Sequence, residues 1–396
     1  MSKFKKAFAA FITIFYIVGC LSGCTSGATG SEKNDKIKII ATIFPEYDWV
    51  RNVLGDRADR AELTLLLDNG VDLHSYQPTA SDILKISGCD MFIYVGGESD
   101  NWVDDALKNA TNKDMTVINL LETLGDSVKQ EELVEGMQES EHHHGHEDHD
   151  DDHDHEDHDH EDHDDDHDHE DHDHEDHDDD HDNDHEDHDD DHDHEDHDHE
   201  DHDDEDEGHG HHHHDGEPEN DEYVWLSLRN AGIFVNTVSE ALQRLDPDNA
   251  SSYQKNAEAY IKEFNSLDNE YKAAVDGASK KTLLFGDRFP FRYLTDDYGL
   301  NYYAAFIGCS ADTEASFETI AFLAQKVDEL SLNCVLTIEK SDGKIAKTVI
   351  ESSSDSNRQI LVLDSLQSVT KKDVESGATY LSIMENNLSV LKEALK

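Results

Sequence analysis

Residues 141–215 contain only Asp, Glu, His, Gly and a single Asn. A stretch of that composition has no apolar side chain to bury, so nothing offsets the entropy of ordering its backbone. Any packed fold must therefore be assembled from the chain on either side. The block HEDHDHEDHDDDHD stands at 155–168 and again, unchanged, at 169–182, with a shortened copy from His185 and a near copy from His194. Such a low-complexity tract is expected to be disordered without metal. It also carries much of the charge. The formal net charge is −63, but 43 of the 94 Asp and Glu lie in the tract, which has no Lys or Arg. The rest of the chain holds 51 acidic against 31 basic residues, a net of −20 that suits a soluble protein. This sign argues against nucleic acid, whose phosphates need a basic face, and favours cations as partners.

The tract holds 28 of the 29 histidines, mostly two to four residues apart and interleaved with carboxylates. A solvating linker would account for the acids but not for the imidazoles. Clusters such as His142, His143 and His144 at one end, and His211, His212, His213 and His214 at the other, can be drawn around Zn²⁺, Ni²⁺ or Cu²⁺ in several exchangeable sites. Each such site orders flexible chain, so individual affinities should be moderate.

The N-terminus has the form of an export signal. Lys3, Lys5 and Lys6 precede an apolar run from Ala7 to Val18, shorter than the ~20 residues of a membrane span. Leu21-Ser22-Gly23-Cys24 resembles the bacterial lipobox, whose Cys is lipidated and becomes the first residue. Ile17-Val18-Gly19-Cys20 is a weaker second candidate, and a plain secretory signal is the alternative. Residues 25–36 are small and polar, as in a flexible tether. Three cysteines remain, Cys89, Cys309 and Cys334. Cys309 and Cys334 could pair in an oxidising compartment, leaving one free thiol; the alternative is three small buried thiols.

Outside the tract, short apolar β-branched runs alternate with helical patterns. Strands are expected at 37–43, 63–67, 91–95 and 116–118, with helices near 46–55, 81–88 and 101–109. After the tract, 230–245 has a helical pattern, and Pro247 and Asp248 punctuate it. From Asn249 to Gly277 the chain reads as one helix, with Tyr253, Ile261, Phe264, Leu267, Tyr271 and Val275 along one face. A second set follows, with strands at 282–286, 302–306, 334–338 and 360–363 and helices at 316–330 and 378–395. The expected fold class is α/β: two lobes built on parallel sheets and joined by a long helix. The boundaries are a signal peptide at 1–24, a tether at 25–36, an N-terminal lobe at 37–247 containing the tract, a connecting helix at 248–278 and a C-terminal lobe at 279–396.

His74 is the one histidine outside the tract. It follows the C-terminal end of an expected strand, where open α/β sheets bind ligands, and imidazole is a good zinc ligand at neutral pH. Read alone it is either a ligand or a histidine hydrogen-bonded within its loop. The segments ATIFPEYDWVRNVLGD, LTLLLDNGVDLHSYQPT, DEYVWLSLRNA, FGDRFPFRYLTDDYGL and ATYLSIMENNLSVLKEALK, in this order and with a His-rich insertion before VWLS, resemble the zinc/manganese solute-binding lipoproteins of ABC transporters, the ZnuA/TroA-like group. The resemblance covers about residues 37–396 apart from the tract. It implies two pseudo-symmetric lobes, a rigid connecting helix and one metal ion in the cleft between lobes, with His74 as a ligand. At the other family ligand positions the sequence departs from the pattern. A second His before VWL is replaced by Tyr223. The third position falls on Arg288, which cannot ligate a cation, with Asp287 beside it. The fourth, a carboxylate after CVLTI, falls on Glu339 or Asp342. The implied set is His74 with oxygen ligands from Tyr223, Asp287, and Glu339 or Asp342, for zinc or for a harder ion such as manganese; the alternative is a weakened cleft site.

The resemblance implies a monomeric, lipid-anchored protein on the outer side of the cell membrane that hands its ion to an ABC-transporter permease. Two other classes stay open: a surface metal buffer uncoupled from transport, and a zinc-dependent hydrolase. The second is disfavoured, because the chain shows no nucleophile triad, Gly-rich phosphate loop or HExxH, and a non-enzymatic role is expected. If the lipobox reading is right, mass spectrometry of the mature protein from native membranes will find Cys24 as a lipid-modified N-terminus. An unmodified terminus downstream of residue 24 would contradict it.

Overall fold

The computed structural model describes residues 36–138, 219–310 and 314–396. The lipobox Cys24, the histidine tract and all its candidate ligands lie outside these residues. The first half of the described chain contains β1 (Ile37–Ala41), α1 (Phe44–Leu54), β2 (Ala61–Leu65), α2 (Ala80–Ser87), β3 (Met91–Tyr94), α3 (Trp102–Lys108), β4 (Thr116–Asn119) and α4 (Leu120–Leu124). Its strands form a four-stranded parallel sheet in the order β2-β1-β3-β4. Ile39, Ile40 and Ala41 of β1 and all of β3 are buried, as expected of parallel strands covered on both faces. Each crossover begins at a defined stop. Pro45 sits in the first turn of α1, where its missing N–H costs nothing. Thr79 caps α2 through a reciprocal box with Asp82.

The second half holds α5 (Leu228–Leu245), α6 (Ala250–Gly277), β5 (Thr282–Phe289), α7 (Arg292–Tyr298), β6 (Asn301–Ile307), α8 (Phe317–Glu329), β7 (Cys334–Thr337), α9 (Lys344–Ser352), β8 (Gln359–Val362), α10 (Lys371–Glu375) and α11 (Tyr380–Ala394). The second sheet is also parallel, with the order β6-β5-β7-β8. Each sheet thus has the same order of strands, and α6 is the long helix between them. Its 28 residues span roughly 40 Å at a rise of ~1.5 Å per residue. Its buried stripe is Tyr253, Ala257, Tyr260, Phe264, Leu267, Tyr271 and Val275. Ile261, expected on that stripe, is only half-buried; Ala257 and Tyr260 take the inward positions instead. The short helices α4, α7, α9 and α10 were not anticipated, and β2 begins two residues earlier than its apolar run. Cys89, Cys309 and Cys334 are all free thiols, so the disulfide between Cys309 and Cys334 does not form.

A buried carboxylate fastens three helices together. Asp48 on α1 is fully buried. It accepts hydrogen bonds from the Tyr260 hydroxyl of α6 at 2.7 Å and the Tyr380 amide at the start of α11 at 3.2 Å. Asn52 and Arg51 complete its shell. Burial raises the Asp48 carboxyl above its ordinary range, against the opposing pull of Arg51 and Tyr260. Asp48→Ala would leave two buried donors unsatisfied, at about 1–3 kcal/mol each. The variant should unfold at distinctly lower denaturant concentration with an unchanged slope, as measured by urea titration monitored by circular dichroism.

Candidate metal centre

The site is built at the C-terminal ends of the parallel strands. His74 lies on a single 3-10 turn, Leu73–Ser75, that follows β2, and Asp72 caps this turn. The Asp72 carboxylate accepts the His74 backbone N–H at 3.0 Å and meets ring Nδ1 at 2.8 Å. Its other oxygen is ion-paired with Arg288, on the last part of β5. Burial would push the Asp72 carboxyl up, but the His74 hydrogen bond and the Arg288 guanidinium outweigh it and hold it well below the usual carboxylate range. A carboxylate on Nδ1 orients the ring and leaves Nε2 to face a ligand, the arrangement common around metal-binding histidines.

His74 Nε2 is buried and has no hydrogen-bond partner. Facing it at 3.5 Å is Oε2 of Glu222, a residue only 2 % exposed, and this oxygen also lacks a hydrogen-bond partner. The other Glu222 oxygen accepts the Ser99 amide at 3.0 Å. Burial raises the Glu222 carboxyl, while His74 and Ser99 pull it down. Gly97 makes room for Glu222: its φ is +83°, and a Cβ there would stand 2.3 Å from Oε1. Behind Glu222, burial and the Glu222 charge push the Asp100 carboxyl up to about 7, against the Gly96 N–H that it accepts at 2.9 Å. Cys309, two residues beyond β6, completes the cluster. The ligand atoms of His74, Glu222 and Cys309 all lie within 4.8 Å of one another.

The residues expected from sequence are distributed differently. Asp287, Glu339 and Asp342 line the same cleft as His74 and Cys309, about 570 Å³ in volume, but lie outside the tight group. Asp287 accepts the Arg288 amide with Oδ1, while its buried Oδ2 has no hydrogen-bond partner. Both Glu339 oxygens are engaged by Ser365, at 2.7 Å from its amide and 2.7 Å from its hydroxyl. Asp342 is exposed and bound to Lys344. Tyr223 is fully buried, and its hydroxyl donates to the Gly308 carbonyl at 2.9 Å. Burial raises the phenol well above its usual value, so it stays protonated and is a poor cation ligand. Its ring instead stacks on His74, centroids 5.5 Å apart. Where the family pattern led to Tyr223, the carboxylate facing His74 belongs to the preceding residue. Glu222 was legible only as an acid beside an apolar VWL segment, and Cys309 only as a thiol of undecided role.

An orphaned imidazole nitrogen and an orphaned carboxylate oxygen, buried and converging with a thiol, form a donor set for a divalent transition ion. The model for the family described as zinc-uptake complex component A, periplasmic, matches residues 39–394. The chain belongs to this family. Among its relatives, the high-affinity zinc uptake system protein ZnuA of Bacillus subtilis is 26 % identical over 394 residues, covering 99 % of this chain and 98 % of that protein. The zinc-binding protein AdcA of Streptococcus pyogenes serotype M3 is 26 % identical over 357 residues, which cover 90 % of this chain but 56 % of the relative; the chain therefore spans just over half of AdcA. Among solved structures, the zinc-bound ZnuA-like domain of Streptococcus pneumoniae AdcA superposes with a TM-score of 0.58 at 24 % identity, covering 91 % of this chain and 99 % of that one. The metal-dependent lipoprotein YcdH of Bacillus subtilis gives 0.60 at 22 %, with coverage of 91 % and 99 %. Both likenesses establish the shared two-lobed fold.

The Asp72 arrangement predicts a pH signature. A carboxyl held low by its partners stabilises the fold at pH above its unfolded value of ~3.9, and that stabilisation is lost as pH falls through the lower folded value. The stability difference between wild type and Asp72→Asn, from urea titrations, should be constant above about pH 5 and shrink towards zero on further acidification. In parallel, metal affinity at neutral pH should fall by ~10–100-fold in Asp72→Asn, as for other partners that orient a liganding histidine.

Proposed function

We propose that this protein is an extracytoplasmic zinc-binding lipoprotein that captures the ion in its inter-lobe cleft and delivers it to the permease of an ABC importer. The observation that carries this reading is the pair of buried ligand atoms, His74 Nε2 and Glu222 Oε2, which face each other without a hydrogen bond, with His74 oriented by Asp72. With the imidazole neutral, its lone pair and the carboxylate repel, and a cation or a proton between them relieves the repulsion. Family membership supports transport as the purpose, and the names of the zinc-uptake and zinc-binding relatives support zinc as the cargo. The zinc-binding lipoprotein AdcA of Streptococcus pneumoniae, 26 % identical over 362 residues, supports the reading of Cys24 as a lipid anchor. Membership of a solute-binding family also supports a binding role rather than a catalytic one.

The histidine tract has a separate part in this proposal: it holds zinc in several weak, exchangeable sites, while the cleft supplies the single ion that the importer receives. Asp287, whose Oδ2 is buried and unpartnered, is the cleft carboxylate best suited to assist; Glu339 and Asp342 have other partners.

Isothermal titration of four proteins tests the reading: with and without residues 141–215, each with and without His74→Ala. Deleting the tract should lower zinc stoichiometry and leave one tight site. His74→Ala should abolish that site in the deleted protein, yet leave most of the zinc bound to the full-length one. Zinc should also raise the melting temperature of the deleted protein by mass action, with ~2.7 kcal/mol of added stability at free zinc 100 times the dissociation constant. Tight one-to-one binding that survives both changes would refute the cleft site. Zinc bound only through the tract would favour a surface buffer over a transport protein.

A further inference from the structure

We infer that Cys309 is a zinc ligand and that its sulfur makes the cleft selective for zinc over manganese. The inference rests on the cleft reading above but goes beyond it. The family pattern does not call for a cysteine here, and the oxygen-rich set of His74, Tyr223, Asp287 and Glu339 or Asp342 would favour a harder ion. The structure places a different atom beside the imidazole. Cys309 Sγ, His74 Nε2 and Glu222 Oε2 are mutually within 4.8 Å, so a small inward shift of the side chains would let one ion reach all three at the ~2.0–2.3 Å bond lengths of zinc to nitrogen, oxygen and sulfur.

Three features set the thiol apart from an incidental one. First, Cys309 is only part-buried and lines the cleft, whereas Cys89 and Cys334 are buried among core residues. Second, its position is fixed: its backbone N–H donates to Glu131 Oε1 at 3.0 Å. The preceding Gly308 offers its carbonyl to the Tyr223 hydroxyl and lies close under the Tyr223 ring, where a Cβ would approach to 3.0 Å. The same ring stacks on His74, so Tyr223 sets the spacing between imidazole and thiol. Third, Arg288 stands where the family has a third ligand but is tied to Asp72. The donor lost at Arg288 is replaced from the loop after β6.

The resulting set, one nitrogen, one oxygen and one sulfur, suits a tetrahedral ion with its fourth position open. An open position is useful for cargo, because an incoming group can enter before the existing bonds break. The Cys309 thiol releases its proton to solvent as the ion binds, and the thiolate sulfur so formed is a soft donor that prefers zinc, cobalt(II) or copper over manganese or magnesium. The selectivity of this cleft is thus assigned to residue 309.

Cobalt(II) added to the full-length protein tests this directly, since the tract holds no sulfur and contributes no thiolate absorption. Wild type should show a thiolate-to-cobalt charge-transfer band in the near ultraviolet, saturating at one cobalt per chain in that band. Zinc should displace it and manganese should not. The band should vanish in both Cys309→Ser and His74→Ala, and persist in Cys334→Ser. Zinc affinity, read as the zinc-dependent rise in melting temperature, should fall in Cys309→Ser by no less than the ~10–100-fold typical of losing an orienting partner. Cys309→Asp should narrow the preference for zinc over manganese. A wild-type protein without the band, but with a zinc-dependent melting shift that His74→Ala removes, would overturn the role of Cys309 and leave the cleft reading intact. A melting shift unaffected by His74→Ala would overturn the cleft reading itself, and a band that survives Cys309→Ser would place the sulfur elsewhere.

Discussion

The carboxylate of Asp72 is the contact on which the site depends. One oxygen receives both the backbone and the ring of His74, and the other receives Arg288 from the second sheet. A single side chain therefore fixes the imidazole and ties the loop after β2 to the end of β5. It also neutralises a cation that would otherwise repel a metal ion. Removing it would free the ring to rotate and leave Arg288 uncompensated near the cleft, a larger change than the loss of one hydrogen bond.

Around that contact, the two lobes contribute unequally. The first supplies His74 and the Ser99 amide that holds Glu222; the second supplies Cys309 and the Gly308 carbonyl that holds Tyr223. The rigid parts lie behind. Asp48 joins α1, α6 and α11, and the Trp225 indole donates to the Ser365 carbonyl at 2.8 Å while Ser365 engages Glu339. These buried polar links cross between elements far apart in sequence, and each has its partners satisfied. Such networks hold a site to a tolerance that apolar packing alone does not give. His74 Nε2 and Glu222 Oε2 are two of the buried atoms without a hydrogen bond, and they face each other at 3.5 Å.

Around the site, the segments on either side of the tract also meet the second sheet. The Glu131 amide donates to the Glu219 carbonyl at 2.8 Å, the Asp221 amide to the Lys129 carbonyl at 2.8 Å, and Gln138 to Ala305 at 2.9 Å. Arg292 pairs with Glu132. The chain thus leaves for the tract and returns from it along a short antiparallel pair, Gln130 opposite Asn220, whose residues include Glu131 beside Cys309 and lead directly into Glu222. The described segments that flank the tract in sequence are thus held together at Gln130 and Asn220.

Much of the architecture was written in local sequence. β-branched or apolar runs bounded by turns marked the strands, most plainly β3 and β7, which are buried throughout and so nearly continuously apolar. The long helix followed from apolar residues three and four apart, and His74 stood out as the single imidazole beyond a tract that could not fold. The shortest helices, α4 and α10, escaped, since five residues leave too little periodicity to read. The candidate cluster of His74, Glu222 and Cys309 is visible only in the tertiary structure. Whether an acid beside VWL or its tyrosine neighbour faces His74 depends on which side chain points inward: Gly97 leaves space for Glu222, while Gly308 takes the Tyr223 hydroxyl. Cys309 is 235 residues from His74 in the chain, and no local pattern links them. They meet because the ends of β2 and β6 face the same cleft, and a coordination sphere is a property of distances between atoms, which a sequence does not contain.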